Sequence, residues 1–326
     1  MRWPSPSELR RSAAAAAAAV LLAGCGGSGG GTGGGATESA WSFAPTMPHR
    51  RSYTASAQIG GDIYVAAGMV GNTGRSLNVF ERFDPGSGTW TSLPFVPAAF
   101  SAAAGAALGD RMYVVGGNDV AEQQHSNSRV DGRQVFAYDV GSRRWTSRAP
   151  LPSPRTNLAA VALDGKVYAL GGLDPVRPTR TVFVYDPGRN RWSQAAPLPE
   201  ALHALAAVAF RGGIWVIGGQ DRSGTATRHV WIYDPASDRW RAGPRLPVPL
   251  ETAGAAVVGD RIDVVLESVY VVYDPETGRW RRGPSLEVPR HALAIYAADG
   301  TLYAMGGCVT PQLEDSAVVE RIAVGA

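Results

Sequence analysis

The chain is almost without lysine: of its 31 basic residues, only Lys166 is not arginine. Cysteine is just as scarce, with Cys25 and Cys308 the 2 copies in 326 residues. At most one internal disulfide is possible, so no cysteine-dense secreted scaffold applies. The 5 histidines stand at His49, His125, His203, His229 and His291. His49, His125 and His229 are isolated, without the close ligand spacing of a zinc site. No P-loop or dinucleotide fingerprint occurs, because GGSGGGTGGG lacks a strand before it and a helix after it. The longest apolar run, 13–22, is too short to cross a bilayer as a permanent helix. Nucleotide, zinc and multispan-membrane readings therefore have no motif to stand on.

What the chain has in quantity is glycine (40) and proline (23), about a fifth of all residues, which suits many short strands separated by turns. Apolar residues make up 45%, enough for a substantial core. The formal charge of +3 belongs partly to the N-terminus. Taking Arg2, Arg10, Arg11 and Glu8 away from 31 basic and 28 acidic residues leaves 28 and 27. A nearly neutral remainder exerts no general pull on nucleic acid, and its aromatics are spent on a repeat, so nucleic acid is not an expected partner.

Residues 1–24 combine a basic start, an apolar run and small residues before Cys25, the pattern of a secretory signal. Leu22-Ala23-Gly24-Cys25 resembles the lipobox of bacterial lipoproteins. The resemblance implies cleavage before Cys25, acylation of its thiol and a place in the cell envelope, on the periplasmic face or the surface of the outer membrane. The Gly-rich stretch that follows, within 25–40, then serves as a flexible tether, with an r.m.s. span of roughly 20 Å for fifteen residues. An ordinary signal peptide cut nearby is the alternative. With Cys25 lipidated, Cys308 has no disulfide partner, and the fold rests on packing alone.

From residue 41 onward the chain repeats itself. Trp41, Trp90, Trp145, Trp192, Trp240 and Trp280 recur in one phase, at intervals of 40 to 55 residues. Within each interval an Ala/Val-rich run is followed by an alternating run ending in glycines (MYVVGG, VYALGG, IWVIGG, LYAMGG). A variable stretch comes next, then a strand such as VFVYDP, then the tryptophan. That makes four short strands per repeat, rich in β-branched and aromatic residues. Gly109-Asp110, Asp164-Gly165, Gly259-Asp260 and Asp299-Gly300 mark tight hairpins. Asp84-Pro85, Asp186-Pro187, Asp234-Pro235 and Asp274-Pro275 open turns between the last two strands.

The run G-x-(I/V/M)-Y-V-x-G-G … Y-D-P … W resembles the kelch repeat, and the resemblance covers 41–326. It implies an all-β propeller with radially arranged, four-stranded antiparallel blades. The ends set the number. WSFAPTMP at Trp41 matches a fourth strand with no first three before it. VVERI near the C-terminus matches VFERF at the third strand of the first full repeat, and no fourth strand follows. The two ends together complete a sixth blade, closed by the N-terminal strand.

In such a propeller the connections from fourth to first strand and from second to third strand emerge on one face. Repeat alignment puts Arg51, Phe100, Arg155, Leu202, Leu250 and Arg290 at the central mouth. Ser52, Ser101, Thr156, His203, Glu251 and His291 stand one position further in. Arg51, Arg155, Arg290, His203, His291 and Glu251 are the candidate ligand-binding residues. Kelch repeats commonly carry arginine at the first of these positions, so bonding to neighbouring blades' carbonyls is an open alternative. The variable loops 69–78, 118–133, 173–180, 220–229 and 308–316 add Arg75, Arg129, Arg133, Arg177, Arg180, Arg222 and Arg228. Against these stand Asp119, Glu122, Asp131, Asp174 and Asp221, a locally basic rim suited to an anionic partner. Blade five has almost no such loop, only 267–268, and has lost its glycine pair, which predicts a notch beside Glu251.

Two functions follow. The first is a monomeric, lipid-anchored binding module without a cofactor, recognising a glycan or a protein at the mouth; kelch domains are mostly interaction platforms. The second is an enzyme resembling the bacterial kelch-type sialic acid mutarotases. There Glu251 with His203 or His291 would act as general acid and base, and an arginine would clamp the sugar's carboxylate. A copper radical oxidase of the galactose oxidase type is set aside, since no Tyr–Cys pairing accompanies Cys308.

Overall fold

In the computed structural model, which describes residues 40–70, 75–119, 131–174, 176–309 and 314–324, every repeat folds as four antiparallel strands. The expected signal and tether, and the acylation expected at Cys25, lie outside the described residues. The strands of blade one are Ala55–Ile59, Asp62–Ala66, Phe80–Asp84 and Thr89–Ser92. Blades two, three, four and five begin at Ala104, Ala159, Ala206 and Gly254 and follow the same order. Blade six takes Ala294–Ala298, Thr301–Met305 and Val319–Ala323 from the C-terminus and Ser42–Ala44 from the N-terminus. Ser42 pairs with Arg321 and Ala44 with Val319, which is the closure expected from the two incomplete repeats.

Position within the blade explains composition. The second and third strands are covered on both faces, so Ile63–Ala66 and Val182–Tyr185 read as continuous apolar runs and are buried throughout. The fourth strand is an outer edge. It reads TWTS, RWTS or RWRR, and its charged and hydroxyl residues blunt the edge against further pairing. Its one inward residue is the tryptophan. Cross-strand ring pairs Phe83–Trp90, Tyr138–Trp145, Tyr185–Trp192, Tyr233–Trp240 and Tyr273–Trp280 sit 4.9–5.3 Å apart.

Three rings of hydrogen bonds join the blades, and each uses one position of the repeat. At the outside, every phased tryptophan donates its indole N–H to a carbonyl of the preceding blade's exit segment. Trp90 bonds Pro45, Trp145 Pro94, Trp192 Ala149, Trp240 Ala196, Trp280 Pro244 and Trp41 Pro284, at 2.8–3.0 Å. Midway, the glycine that ends each such run, second of a pair except in blade one where Ala67 precedes Gly68, donates to the next blade. Gly68 bonds the carbonyl of Phe100, Gly117 that of Arg155, Gly172 that of Leu202, Gly219 that of Leu250 and Gly307 that of Arg51. Gly68 has φ +102°, and a Cβ there would lie 2.7 Å from the carbonyl oxygen of Ser52. Blade five keeps the bond without the glycine: Glu267 donates to Arg290 at 2.7 Å, with its own backbone left-handed at φ 51°.

At the axis the ring closes on itself. Tyr53, Ala102, Asn157, Ala204, Thr252 and Ala292 each donate a backbone N–H to the carbonyl of the one before, at 2.7–3.2 Å, and Ala292 returns to Tyr53. All six hold left-handed φ angles of 50–55°. Residues other than glycine are rarely found there, so each carries a local conformational cost that the closed ring offsets.

Candidate functional site

The mouth is built on the residues just before that axial ring. Ser52, Ser101, Thr156, His203 and His291 each form an antiparallel bridge to the first residue of their own blade's second-to-third loop: Met69, Asn118, Leu173, Gln220 and Cys308. Blade five joins its second and third strands through Glu267 and Ser268 alone, and among the described residues Glu251 makes no such bridge. Exposure follows the same asymmetry. Ser52, Ser101 and Thr156 are buried, whereas His203, Glu251 and His291 are half-buried and face solvent on one side of the ring.

Glu251 is the least satisfied of these groups. One oxygen is held by the side chain of Gln220, while Oε2 is buried without a hydrogen-bond partner. Burial pushes its carboxyl up to about 7; the Gln220 hydrogen bond opposes that rise, and the charge of Glu267 adds to it. His203 turns Nδ1 to the carbonyl oxygen of Gln220 at 3.2 Å, so Nδ1 carries the proton and Nε2 is the acceptor. Burial lowers the pKa values of both His203 and His291, keeping both neutral at pH 7. His291 lies 4.0 Å from Glu267 and packs edge-on to Tyr53 at 6.4 Å. Tyr53 is the one large side chain among the axial six. Its phenol is pushed far above its ordinary value by burial, with further contributions from Cys308, Glu251 and Asp315. Ser52 donates to Asp315 at 2.5 Å. Beside the Tyr53 phenol, the titratable groups described at the mouth are thus carboxyl groups and neutral imidazoles.

The three arginines expected beside them are elsewhere. Arg51 and Arg290 are wholly buried, and Arg155 is 2% exposed. Arg51 bonds Glu81 at 2.6 Å and the carbonyls of His49 and Val65. Arg290 bonds Glu320 at 3.0 Å and the carbonyls of Val318 and Ala304. Both glutamates lie on the third strand of the blade that follows, at the same repeat position. In blade three that position is Phe183, and Arg155 lies over its ring at 5.1 Å while pairing with Asp174 at 2.8 Å. Where the first residue is apolar, the partner is too. Phe100 stacks on Phe136 at 6.2 Å, and Leu250 shares an apolar cluster with Val271. The six positions are pillars matched one to one with the third strand, and the three guanidinium groups are buried there rather than turned to the mouth. The expectation that Arg51, Arg155 and Arg290 contact a ligand is corrected accordingly.

The loop arginines of the expected basic rim, by contrast, stay at or near the surface. Arg133, Arg180 and Arg228 each direct Nε to a carbonyl of an exit segment, at Leu151, Leu198 and Leu246, 2.5–2.7 Å away. Arg75, Arg177 and Arg222 are exposed. Arg129 and Glu122 lie outside the described residues.

A family model described as the KLHDC2/KLHL20/DRC7 Kelch-repeats domain matches residues 54–266, more than half of the chain. The chain belongs to the kelch-repeat family. Among curated relatives, mouse Kelch-like protein 35 is 34% identical over 113 residues, 35% of this chain and 18% of that one. Kelch-like ECH-associated protein 1A of Danio rerio is 30% identical over 128 residues, 39% of this chain and 19% of the relative. Alpha-scruin of Limulus polyphemus is 32% identical over 138 residues, 41% and 14%. The matched part of this kelch chain is about a fifth or less of those proteins' length. The solved structure of YjhT superposes with a TM-score of 0.72 at 15% identity, covering 85% of this chain and 96% of that one, which shows the propeller fold.

Gln220, Glu267, Asp315 and Tyr53 are the mouth residues of this kelch propeller that repeat alignment alone passed over. Glu267 carried a signal: it is the break in the glycine pair. Asp315 and Gln220 sit in variable loops, where alignment has no register to offer.

Proposed function

We propose that the propeller is a binding module of the cell envelope, tethered through a lipidated Cys25, that receives a protein partner at the mouth beside blade five. The observation that carries the reading is Glu251, a half-buried carboxyl with one unpartnered oxygen at the place where blade five lacks a covering loop. A buried acceptor without a donor costs free energy that a ligand's N–H or O–H would recover. Glu267 and Asp315 nearby favour a donor that is cationic, such as a lysine or arginine side chain on a partner's loop. The curated relatives support an interaction role, one of them being named for its association with ECH.

An anionic ligand at this mouth, and the acidic-sugar mutarotase with it, loses the carboxylate clamp because Arg51, Arg155 and Arg290 are buried. The test is a peptide array and a glycan array on residues 37–326, each repeated with Glu251→Gln. Binding to peptides that present a basic residue, weakened at least tenfold in the variant, supports the reading. Binding that the substitution leaves unchanged, or that is confined to acidic glycans, overturns it.

A further inference from the structure

Gln220 ties two of the mouth residues into one unit. It opens the loop between the second and third strands of blade four, where other blades have Met69, Asn118, Leu173 or Cys308. Its backbone is clamped from both sides, bridged to His203 on one and to Ala226 of its own loop on the other. The carbonyl oxygen accepts from the backbone N–H of His203 at 3.1 Å and from its ring at 3.2 Å. The side-chain amide crosses to blade five and donates to Glu251. Asp221, the next residue, is held by its own turn, accepting from the N–H groups of Ser223 and Thr225 and from the Ser223 hydroxyl. The arginine of this turn, Arg222, is exposed.

This arrangement restricts the shape of the cation that the mouth can take. A guanidinium matches a carboxylate through a planar fork, which needs both oxygens open. Glu251 offers Oε2 alone, because its other oxygen already accepts from Gln220. Further acceptors belong to different segments. Nε2 of His203 stands on the entry to blade four, and the carboxyl of Glu267, whose charge acts on Glu251, stands on the short link of blade five. Acceptors supplied singly by separate segments suit an ammonium group, a compact charge whose three N–H donors point in different directions.

We propose that the mouth selects a lysine ammonium over an arginine guanidinium, and that Gln220 sets the preference as a positioning residue. This rests on the reading of the mouth as a site for a cationic side chain, and narrows it to one chemistry. The experiment is two-dimensional NMR of the purified full chain, following histidine ring signals during titration with three probes. These are the Nα-acetyl methylamides of lysine, arginine and norleucine, the last a neutral control. Saturable shifts at His203 with the lysine probe are expected, with affinity at least tenfold weaker for arginine and no shift with norleucine. Gln220→Ala removes the amide but keeps the backbone carbonyl that holds His203, so it opens the second oxygen of Glu251. The preference should then fall below threefold, through a gain for arginine; a merely structural role for Gln220 would weaken both probes alike. Equal affinities in the parent, or an undiminished preference in Gln220→Ala, overturn the inference and leave the cationic-partner reading in place. Shifts absent with both cationic probes also overturn it, and the peptide array then decides the broader reading by itself.

Discussion

Trp41 and Pro284 stand 243 residues apart in the chain, and the indole N–H of the first donates to the carbonyl of the second at 2.8 Å. The same bond recurs between every pair of adjacent blades, but only here does it join the two ends of the fold. Trp41 is 4% exposed and packs edge-on against Tyr270 at 5.7 Å. Trp41→Ala removes both the packing and the bond, and is expected to lower stability by about 3–5 kcal/mol. Trp41→Phe keeps most of the packing and should cost about 1 kcal/mol. Denaturant midpoints of the two variants check this. A Trp41→Ala protein as stable as the parent would mean that the N-terminal strand does not latch the ring.

The Arg51–Glu81 and Arg290–Glu320 pairs make a different kind of prediction, because the repeat itself supplies the control. Removing one partner strands a charge in a wholly buried place, so Arg51→Ala should destabilise by about 3–5 kcal/mol. Replacing both with the apolar pair of blade five, Arg51→Leu with Glu81→Val, should leave stability within about 1–2 kcal/mol of the parent. His49, which also bonds Glu81 at 2.6 Å, keeps its partner in Arg51→Ala and loses it only in the double substitution. The double substitution should leave ligand binding at the mouth untouched. A double variant as unstable as the single one would mean that the ionic pair is worth more than its apolar counterpart.

Those arginines show what could and could not be read along the chain. Blade number, strand order and the closing strand are legible because each rests on a periodic signal: tryptophan phase, glycine pairs, Asp-Pro turns. Direction of a side chain is not periodic. An arginine before a loop reads as exposed, and the partner that pulls it inward lies 30 residues downstream on another strand. A trace was present nonetheless. VFERF and VVERI place glutamate at Glu81 and Glu320, where the other blades have Phe136, Phe183, Trp231 and Val271. A charge at an otherwise apolar strand position calls for a buried counter-charge, which Arg51 and Arg290 at the pillar position supply. The position of His203, Glu251 and His291 is legible because their backbone belongs to the repeat. The loop residues around them have no such frame.

Cys308 is buried, and its thiol is pushed up to about 12, chiefly by burial and secondarily by the charge of Asp315. A thiol held protonated and hidden is a poor nucleophile. Cys308 is expected to resist maleimide at pH 8 in the folded protein and to react completely in denaturant. Rapid labelling of the native state would mean that the strand Cys308–Val309 opens readily.

Glu251 links stability to pH in a window of its own. Its carboxyl moves from the ordinary 4.5 to about 7 on folding, so between those values the folded state holds a proton that the unfolded state has released. Stability contributed by this group therefore falls as pH rises from 4.5 to 7, and the cost stays constant above. The turn aspartates Asp84, Asp139, Asp186, Asp234 and Asp274 act in the opposite sense. Hydrogen bonds from their own turns lower their pKa values, so their contribution is lost only as pH drops below 3.8. The two effects do not overlap, and Glu251→Gln isolates the first. The variant should show a flatter stability profile between pH 4.5 and 7 and should exceed the parent by about 1–3 kcal/mol at pH 8. The same substitution removes the acceptor proposed for the partner, so gain of stability and loss of binding should arrive together. Parallel pH profiles for variant and parent would show that Glu251 ionises as freely as a surface carboxylate, and the mouth would lose its poised acceptor.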